Sequence, residues 1–232
     1  MKVAIVPAYN EEGEIDHVLR RLRNYVDKII VVDDGSRDKT GMIAKKYAIV
    51  IKHPVNLGKG AALRTGCKEA LKFKPRYLFF VDADGQHDPD DIVKFLEKLE
   101  KGYDLVQGVR DYDKMPLLKK IGNLILTFAF KILFGFNTKD TQCGYKGLRS
   151  EILPRILWNS NDYFVESEIL ARVAVNNLRY CEVPIKTIYK KGGYKGATIF
   201  DGLKIFIRLI VLKIILNTSK KKSKRSMLKA TK

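Results

Sequence analysis

Tyr77-Leu-Phe-Phe-Val-Asp-Ala-Asp-Gly-Gln86 sets an apolar run directly against two carboxylates one residue apart. A short continuous apolar run that breaks into polar and glycine residues is the pattern of a strand buried on both faces of a parallel sheet. In open α/β sheets ligands gather beyond the carboxyl ends of the strands, which is where Asp82, Asp84 and Gln86 would stand. Mg²⁺ or Mn²⁺ suits such a place, since these ions accept a few carboxylate oxygens and complete their shells with substrate phosphates. Alone, the Asp-x-Asp pair is equally consistent with an acidic turn.

The flanking sequence changes that balance. Val3-Ala-Ile-Val6 runs into Pro7-Ala-Tyr-Asn-Glu11, and Lys28-Ile-Ile-Val-Val32 runs into Asp33-Asp-Gly-Ser-Arg-Asp-Lys-Thr40, so both read as buried strands entering polar loops. Between them Ile15, Val18, Leu19 and Leu22 recur at helical spacing, and similar patterns follow in Met42 to Tyr47, Ala61 to Leu71 and Ile92 to Leu99. Strand and helix alternate at least four times, which predicts an α/β fold: a mainly parallel sheet flanked by helices and joined by right-handed crossovers. Glu11, the Asp33/Asp34 pair and the Asp82/Asp84/Gln86 group then fall on one sheet edge. Asn56-Leu-Gly-Lys-Gly-Ala-Ala-Leu-Arg64 adds two glycines and Lys59 at a helix start, where free N–H groups and a cation favour a diphosphate; a glycine loop that merely caps a helix reads the same way.

On these residues the chain resembles the inverting family-two glycosyltransferases of the GT-A, Rossmann-like fold, and within them the polyprenyl-phosphate (dolichyl-phosphate) mannose or glucose synthases. The likeness runs in order through Pro7-Ala-Tyr-Asn-Glu11, Val32-Asp-Asp-Gly-Ser36, Asn56-x-Gly58-x-Gly60, Asp82-Ala-Asp84-x-Gln86, Gly108-x-Arg110, Asp140-Thr-Gln-Cys-Gly-Tyr-Lys146, Phe164-x-Glu166-x-Glu168 and Val183-Pro-Ile185. It covers nearly the whole chain to about Lys195. The resemblance implies transfer of a hexose, GDP-mannose being the first donor expected and UDP-glucose or UDP-N-acetylglucosamine the alternatives, to a polyprenyl phosphate; a glycan acceptor is a further alternative. It implies that Pro7, Tyr9, Glu11 and Asp34 line the nucleoside pocket, Asp33 among them as a base or ribose contact, with Lys59 near the donor phosphates. Asp82, Asp84 and Gln86 would hold the diphosphate through the divalent ion, Arg110 would face the acceptor phosphate, and the Asp140 to Lys146 stretch would close the site.

The chemistry is consistent with that division. A bound cation stabilises charge growing on a leaving diphosphate, and a phosphate monoester, with a second pKa of about 6, is already largely dianionic near neutral pH. Such a nucleophile requires little from a general base; it requires cations that hold two phosphates together. Arg110, Lys119, Lys120, Lys146 and Lys195 are the candidates, with Arg110 best shaped for bidentate contact. One in-line displacement inverts the anomeric centre with no covalent intermediate. The family pattern is blurred where close relatives carry arginine and serine and this chain has Lys119 and Asn123, and again at Lys190-Lys-Gly-Gly-Tyr-Lys195. Glu166 and Glu168 sit at an acidic position of the family, or at the start of a helix that favours carboxylates there.

Charge is uneven along the 232 residues, whose net formal charge is +18. Through Arg110 there are 20 basic and 17 acidic residues; from Asp111 on there are 24 and 9. Donor binding cannot account for an excess confined to the second part. There Lys120, Asn123, Thr127 and Lys131 make one polar stripe on a helix of about 117–136 that is otherwise apolar, as expected of a helix lying in a membrane interface or packed on the core. A second apolar segment, Leu203 to Leu216, is less regular, because Lys213 falls opposite Asp201, Lys204 and Arg208. Neither reaches the roughly 20 apolar residues of a bilayer span. The expected organisation is a catalytic domain over 1–198, a C-terminal membrane-associated helix over 199–218 and a polybasic tail over 219–232. That tail suits an anionic leaflet and a peripheral or monotopic place on the cytoplasmic face of the membrane.

Cys67, Cys143 and Cys181 are isolated, which predicts reduced thiols and no structural zinc, and the stretch after Lys2 is too short in apolar residues for a secretory leader. A sugar-phosphate nucleotidyltransferase would open with a longer glycine-rich loop than Pro7-Ala-Tyr-Asn10. A nucleic-acid-binding protein would explain the basic tail but not acidic loops along one sheet edge, so no nucleic-acid partner is expected.

Overall fold

The computed structural model describes residues 1–188 and 204–218. The three apolar runs form β1 (Lys2–Ala8), β2 (Lys28–Asp33) and β4 (Tyr77–Phe80), and the chain adds β3 (Ile49–Lys52), β5 (Leu105–Val109), β6 (Lys146–Arg149) and β7 (Tyr180–Pro184). They make one seven-stranded sheet in the order β3-β2-β1-β4-β6-β5-β7. All neighbours pair in parallel except β6, which is antiparallel to both β4 and β5. A strand entered from the carboxyl edge of its neighbours must run backwards through them, so the Asp140 to Lys146 stretch that leads into β6 stays at the edge carrying the acidic loops.

Helices α1 (Ile15–Leu22), α2 (Thr40–Ala44), α3 (Lys59–Leu71) and α4 (Ile92–Glu100) follow the first four strands or their loops. Side chains alternate along β1: Val3 and Ile5 join one core with Ala62, Leu63 and Ala70 of α3, while Ala4, Val6 and Ala8 join the other with Val18 and Leu19 of α1 and Phe95 of α4. The chain builds outward from β1 to β2 and β3, then returns to place β4 on the other side of β1. That reversal opens the crevice at which ligands of such sheets bind. Gly58, at the N-cap of α3, has φ +95, and a Cβ there would collide with the backbone of Asn161, so only glycine lets the α3 start lie against that loop.

The second half adds α5 (Leu117–Phe134), the short α6 (Leu153–Ile156), α7 (Val165–Val175) and a helix α8 over 204–218. Of the polar stripe of α5, Asn123 and Thr127 are turned inward, while Lys120 is half-buried and Lys131 exposed; Leu117, Leu118, Ile121, Leu124, Ile125, Phe128 and Ile132 are exposed. Asn123 has a reason to be inside, since its Nδ2 donates to the Tyr112 hydroxyl at 2.7 Å and to Asp140 Oδ1 at 2.9 Å. Helix α8 buries Ile205, Leu209 and Leu212 in the core that α3 and α7 share, and exposes Ile207, Ile210, Val211, Ile214 and Ile215. Its irregular charges find partners: Lys213 lies over the Phe134 ring and Arg208 over the Phe164 ring. Among the described residues no helix is long and apolar enough to cross a membrane. The expected polybasic tail and Lys195 fall outside the described residues.

Candidate active site

A cavity of about 1110 Å³ opens at the carboxyl edge of the sheet. Its wall contains Pro7, Tyr9 and Glu11 from the end of β1, Asp34 from the end of β2, Lys59 from α3, and Asp82, Asp84 and Gln86 from the loop after β4, together with Arg110 and Lys119. The structure thus gathers into one space residues more than a hundred positions apart. Of the residues expected to touch the donor, Asp33 alone does not line it. The Asp33 carboxylate is 1% exposed and accepts from the Ser36 backbone N–H at 2.9 Å, closing the turn after β2. Adjacent residues leave a strand on opposite sides, so only one of the Asp33/Asp34 pair can face the cavity.

Asp34 is itself engaged. It accepts from the backbone N–H of Leu57 at 3.0 Å and of Gly58 at 2.8 Å, and its Oδ1 lies 2.6 Å from His53 Nδ1. The carboxylate therefore ties the loop that starts α3 to the end of β2 while bordering the cavity. His53, whose Nε2 is 2.9 Å from the Thr65 hydroxyl, is a partner that no sequence pattern announced.

At the Asp-x-Asp pair the electrostatics are uneven. Burial works against the charge of Asp82, yet Lys59 and His87 outweigh it and hold that carboxyl below its ordinary range. Burial and the charge of Asp82 push Asp84 the other way, above the ordinary range. Burial depresses His87, whose Nδ1 has no hydrogen-bond partner among the described residues and stands 3.9 Å from Asp82 Oδ2. Two close carboxylates, one of them resisting ionisation, are relieved by a divalent cation. Among the described residues no three His, Cys, Asp or Glu side chains form a ready-made metal cage. Asp82, Asp84 and Gln86, which share the cavity wall, are the groups that could offer oxygen ligands to an ion whose remaining shell comes from substrate phosphates.

Lys59 Nζ lies 2.5 Å from Asp82 Oδ1 and 2.8 Å from Glu166 Oε1. Glu166, at the start of α7, also pairs with Lys146. This corrects the expectation for Lys146: it is fully buried, bound to Glu166 and to the Cys143 carbonyl, and cannot meet an acceptor phosphate. Lys120 pairs with Asp113 at 3.5 Å and is absent from the cavity wall. Glu168 accepts from the backbone N–H groups of Asn159 and Ser160, both at 3.0 Å, and from Arg172, so it orders the loop before α7.

Arg110 reaches the cavity, but its fork is already held. Nε and one terminal nitrogen donate to Asp140 Oδ2 and Oδ1 at 2.7 and 2.8 Å. Burial opposes the charge on Asp140, and Arg110 with Asn123 overcomes it, keeping the carboxyl below its usual range. Arg110 is thus an oriented cation, not a bidentate clamp awaiting a phosphate. Lys119 is pushed down to about 8, by burial and then by Arg110. Asp140 as the holder of Arg110 was visible in sequence only as part of the Asp140 to Lys146 motif, without a role.

Residues 3–157 match the family model described as Glycosyl transferase family 2. The sequence is 37% identical over 238 residues to the UDP-N-acetylglucosamine–dolichyl-phosphate N-acetylglucosaminyltransferase of Methanococcus voltae, covering 90% of this chain and 95% of that protein. It is 29% identical over 204 residues to polyprenol monophosphomannose synthase of Mycolicibacterium smegmatis, covering 79% of this chain and 76% of the other. In fold it is similar to glucosyl-3-phosphoglycerate synthase of Mycobacterium tuberculosis, solved with Mn²⁺, uridine diphosphate and glucosyl-3-phosphoglycerate. That likeness has a TM-score of 0.71 at 19% identity and covers 93% of this chain and 79% of the other.

Proposed function

The chain belongs to glycosyl transferase family 2, and from that premise we propose that it transfers a hexose or N-acetylhexosamine from a nucleotide sugar to a polyprenyl (dolichyl-type) phosphate at the cytoplasmic face of a membrane. The observation that carries the reading is the composition of one cavity wall: the Asp82/Asp84 pair, the cations Arg110 and Lys119, and the apolar side chains Leu118, Ile125, Leu126, Ile205 and Phe206. An apolar wall beside two cations suits an acceptor that carries a phosphate on a hydrocarbon chain. The exposed apolar faces of α5 and α8, beside a chain portion rich in lysine, suit the headgroup boundary of an anionic bilayer.

UDP-N-acetylglucosamine becomes the first donor to test, ahead of the GDP-mannose expected from sequence, because the relative at 37% identity is named for it and the mannose-named relative stands at 29%. In the proposed reaction Glu11 and Asp34 border the nucleoside, and Arg110 with Lys119 gathers the acceptor phosphate. Asp82, Asp84 and Gln86 would hold Mg²⁺ or Mn²⁺, which would supply Lewis-acid stabilisation of the diphosphate leaving group. The acceptor phosphate brings its own negative charge, so no side chain need remove a proton from it. Attack on the face opposite the diphosphate inverts the anomeric carbon.

The test is to incubate the purified protein and Mn²⁺ with UDP-N-acetylglucosamine, UDP-glucose or GDP-mannose and a short polyprenyl phosphate, with an Asp84→Ala protein as control. Mass spectrometry is expected to find a phosphate-linked glycolipid with one donor and none with the variant. Product on soluble sugar acceptors alone would remove the lipid half of the proposal.

A further inference from the structure

Lys59 occupies an awkward place for a residue expected near donor phosphates. Its ammonium sits 2.5 Å from Asp82, one of the carboxylates available to a divalent cation, and 2.8 Å from Glu166. A lysine and a dication cannot both rest against Asp82 without strong like-charge repulsion. The backbone at Gly144 closes the other side: a Cβ there would overlap both Asp82 Oδ2 and Lys59 Nζ. The cavity, whose wall Lys59 forms, is the direction left for it to move.

The partners are arranged so that such a move strands nothing but Asp82. Glu166 holds two lysines, and Lys146, fully buried, stays with it when Lys59 leaves. Asp82 alone loses its counter-charge, and it is the carboxylate that an incoming ion neutralises. A buried ammonium leaving a carboxylate must find another anion, and a diphosphate in the same cavity is one.

Resting on the proposed donor chemistry, we infer that Lys59 is a resident counter-ion for Asp82 that yields its place to the divalent cation and passes to the nucleotide diphosphate. The cation then binds poorly until the nucleotide gives Lys59 somewhere to go, and the nucleotide binds poorly until the cation releases it. By linkage the two effects are one coupling, equal in both directions.

The experiment measures Mn²⁺ binding by the loss of the free-ion electron paramagnetic resonance signal, with and without UDP, and with GDP in parallel. Wild-type protein is compared with Lys59→Met and Lys59→Gln, both first checked for a cooperative thermal melt. Without nucleotide, Mn²⁺ is expected to bind the variants roughly tenfold more tightly than wild type, within the range usual for coupled sites. The factor by which nucleotide tightens Mn²⁺ should shrink by at least as much, leaving only direct contact between ion and phosphate. Equal or weaker Mn²⁺ binding by both variants in the absence of nucleotide would overturn the exchange. No acceptor is present, so an absence of glycolipid product in the transferase assay would count against the acceptor and leave this result standing.

Discussion

Replacing Asp140 with alanine tests how the second half of the site is held. Asp140 is fully buried and accepts from Arg110 Nε at 2.7 Å, from a second Arg110 nitrogen at 2.8 Å, from Asn123 Nδ2 at 2.9 Å and from the Gln142 backbone N–H at 3.1 Å. Removing one partner of a buried ion pair costs about 3–5 kcal/mol, because the other charge is left unpaired. The Arg110 side chain is 14% exposed, so water relieves little of that. At about 2–4 °C per kcal/mol for a chain of this size, Asp140→Ala should melt on the order of 10 °C below wild type at pH 7. The pH dependence has a definite sign. Asp140 is held below its ordinary range when folded, so its contribution is complete above the unfolded carboxyl value of about 3.9 and disappears as pH falls through the lower folded value. The gap between the two proteins should therefore narrow below about pH 4. A second change, Arg110→Met with Asp140→Leu, removes both charges and should recover much of the loss. Calorimetry or circular dichroism in mild detergent reads all of this; an Asp140→Ala protein melting within about 2 °C of wild type at pH 7 would show that the pair holds nothing.

Other consequences are open to direct measurement. Phe128 is 65% exposed on the apolar side of α5, so Phe128→Asp should leave the melting temperature unchanged and weaken sedimentation with anionic vesicles by roughly ten- to a hundredfold, from the roughly 1.5–3 kcal/mol that burying such a ring contributes; unchanged vesicle binding would place the membrane contact elsewhere. Lys119, pushed down to about 8, is cationic below that pH, so the KM for a phosphate-bearing acceptor should climb as pH rises through about 8, and Lys119→Arg should flatten the climb, which a pH series at saturating donor would show. Burial pushes the thiols of Cys67 and Cys143 well up and that of the half-buried Cys181 up to about 11. A thiol reagent at pH 8 should therefore label the native protein slowly and Cys181 first, with peptide mapping as the check.

Three of the seven strands, β1, β2 and β4, were legible because their burial on both faces leaves an unbroken apolar run, as in Val3 to Val6 and Tyr77 to Phe80. The other four were not: β3 and β7 are partly exposed, β5 is interrupted by Gln107 and Gly108, and β6, Lys146-Gly-Leu-Arg149, carries no apolar run, its antiparallel direction following from where the chain enters the sheet. Asp82, Asp84 and Gln86 could be placed at the ligand edge since that edge is set by strand direction, a local property. Which member of Asp33/Asp34 faces the cavity depended on the exit angle of β2, and composition says nothing about that. Helix α5 was recognisable as amphipathic, but its orientation was not: Asn123 is drawn inside by Asp140, a residue 17 positions away, and the apolar face is left outside.

The amino-acid order alone determined the α/β architecture, the edge at which the acidic loops meet and the family to which the motifs belong, because burial periodicity and loop chemistry are written along short stretches of chain. Tertiary structure decided which charges belong to one another. Lys146 went to Glu166, Arg110 to Asp140 and Lys59 to Asp82 and Glu166, and each choice was made by distances across the fold. A lysine that looks like a phosphate ligand in the sequence becomes a structural cation once a buried carboxylate lies closer, since an unpaired charge inside the protein costs more than a solvated one outside it.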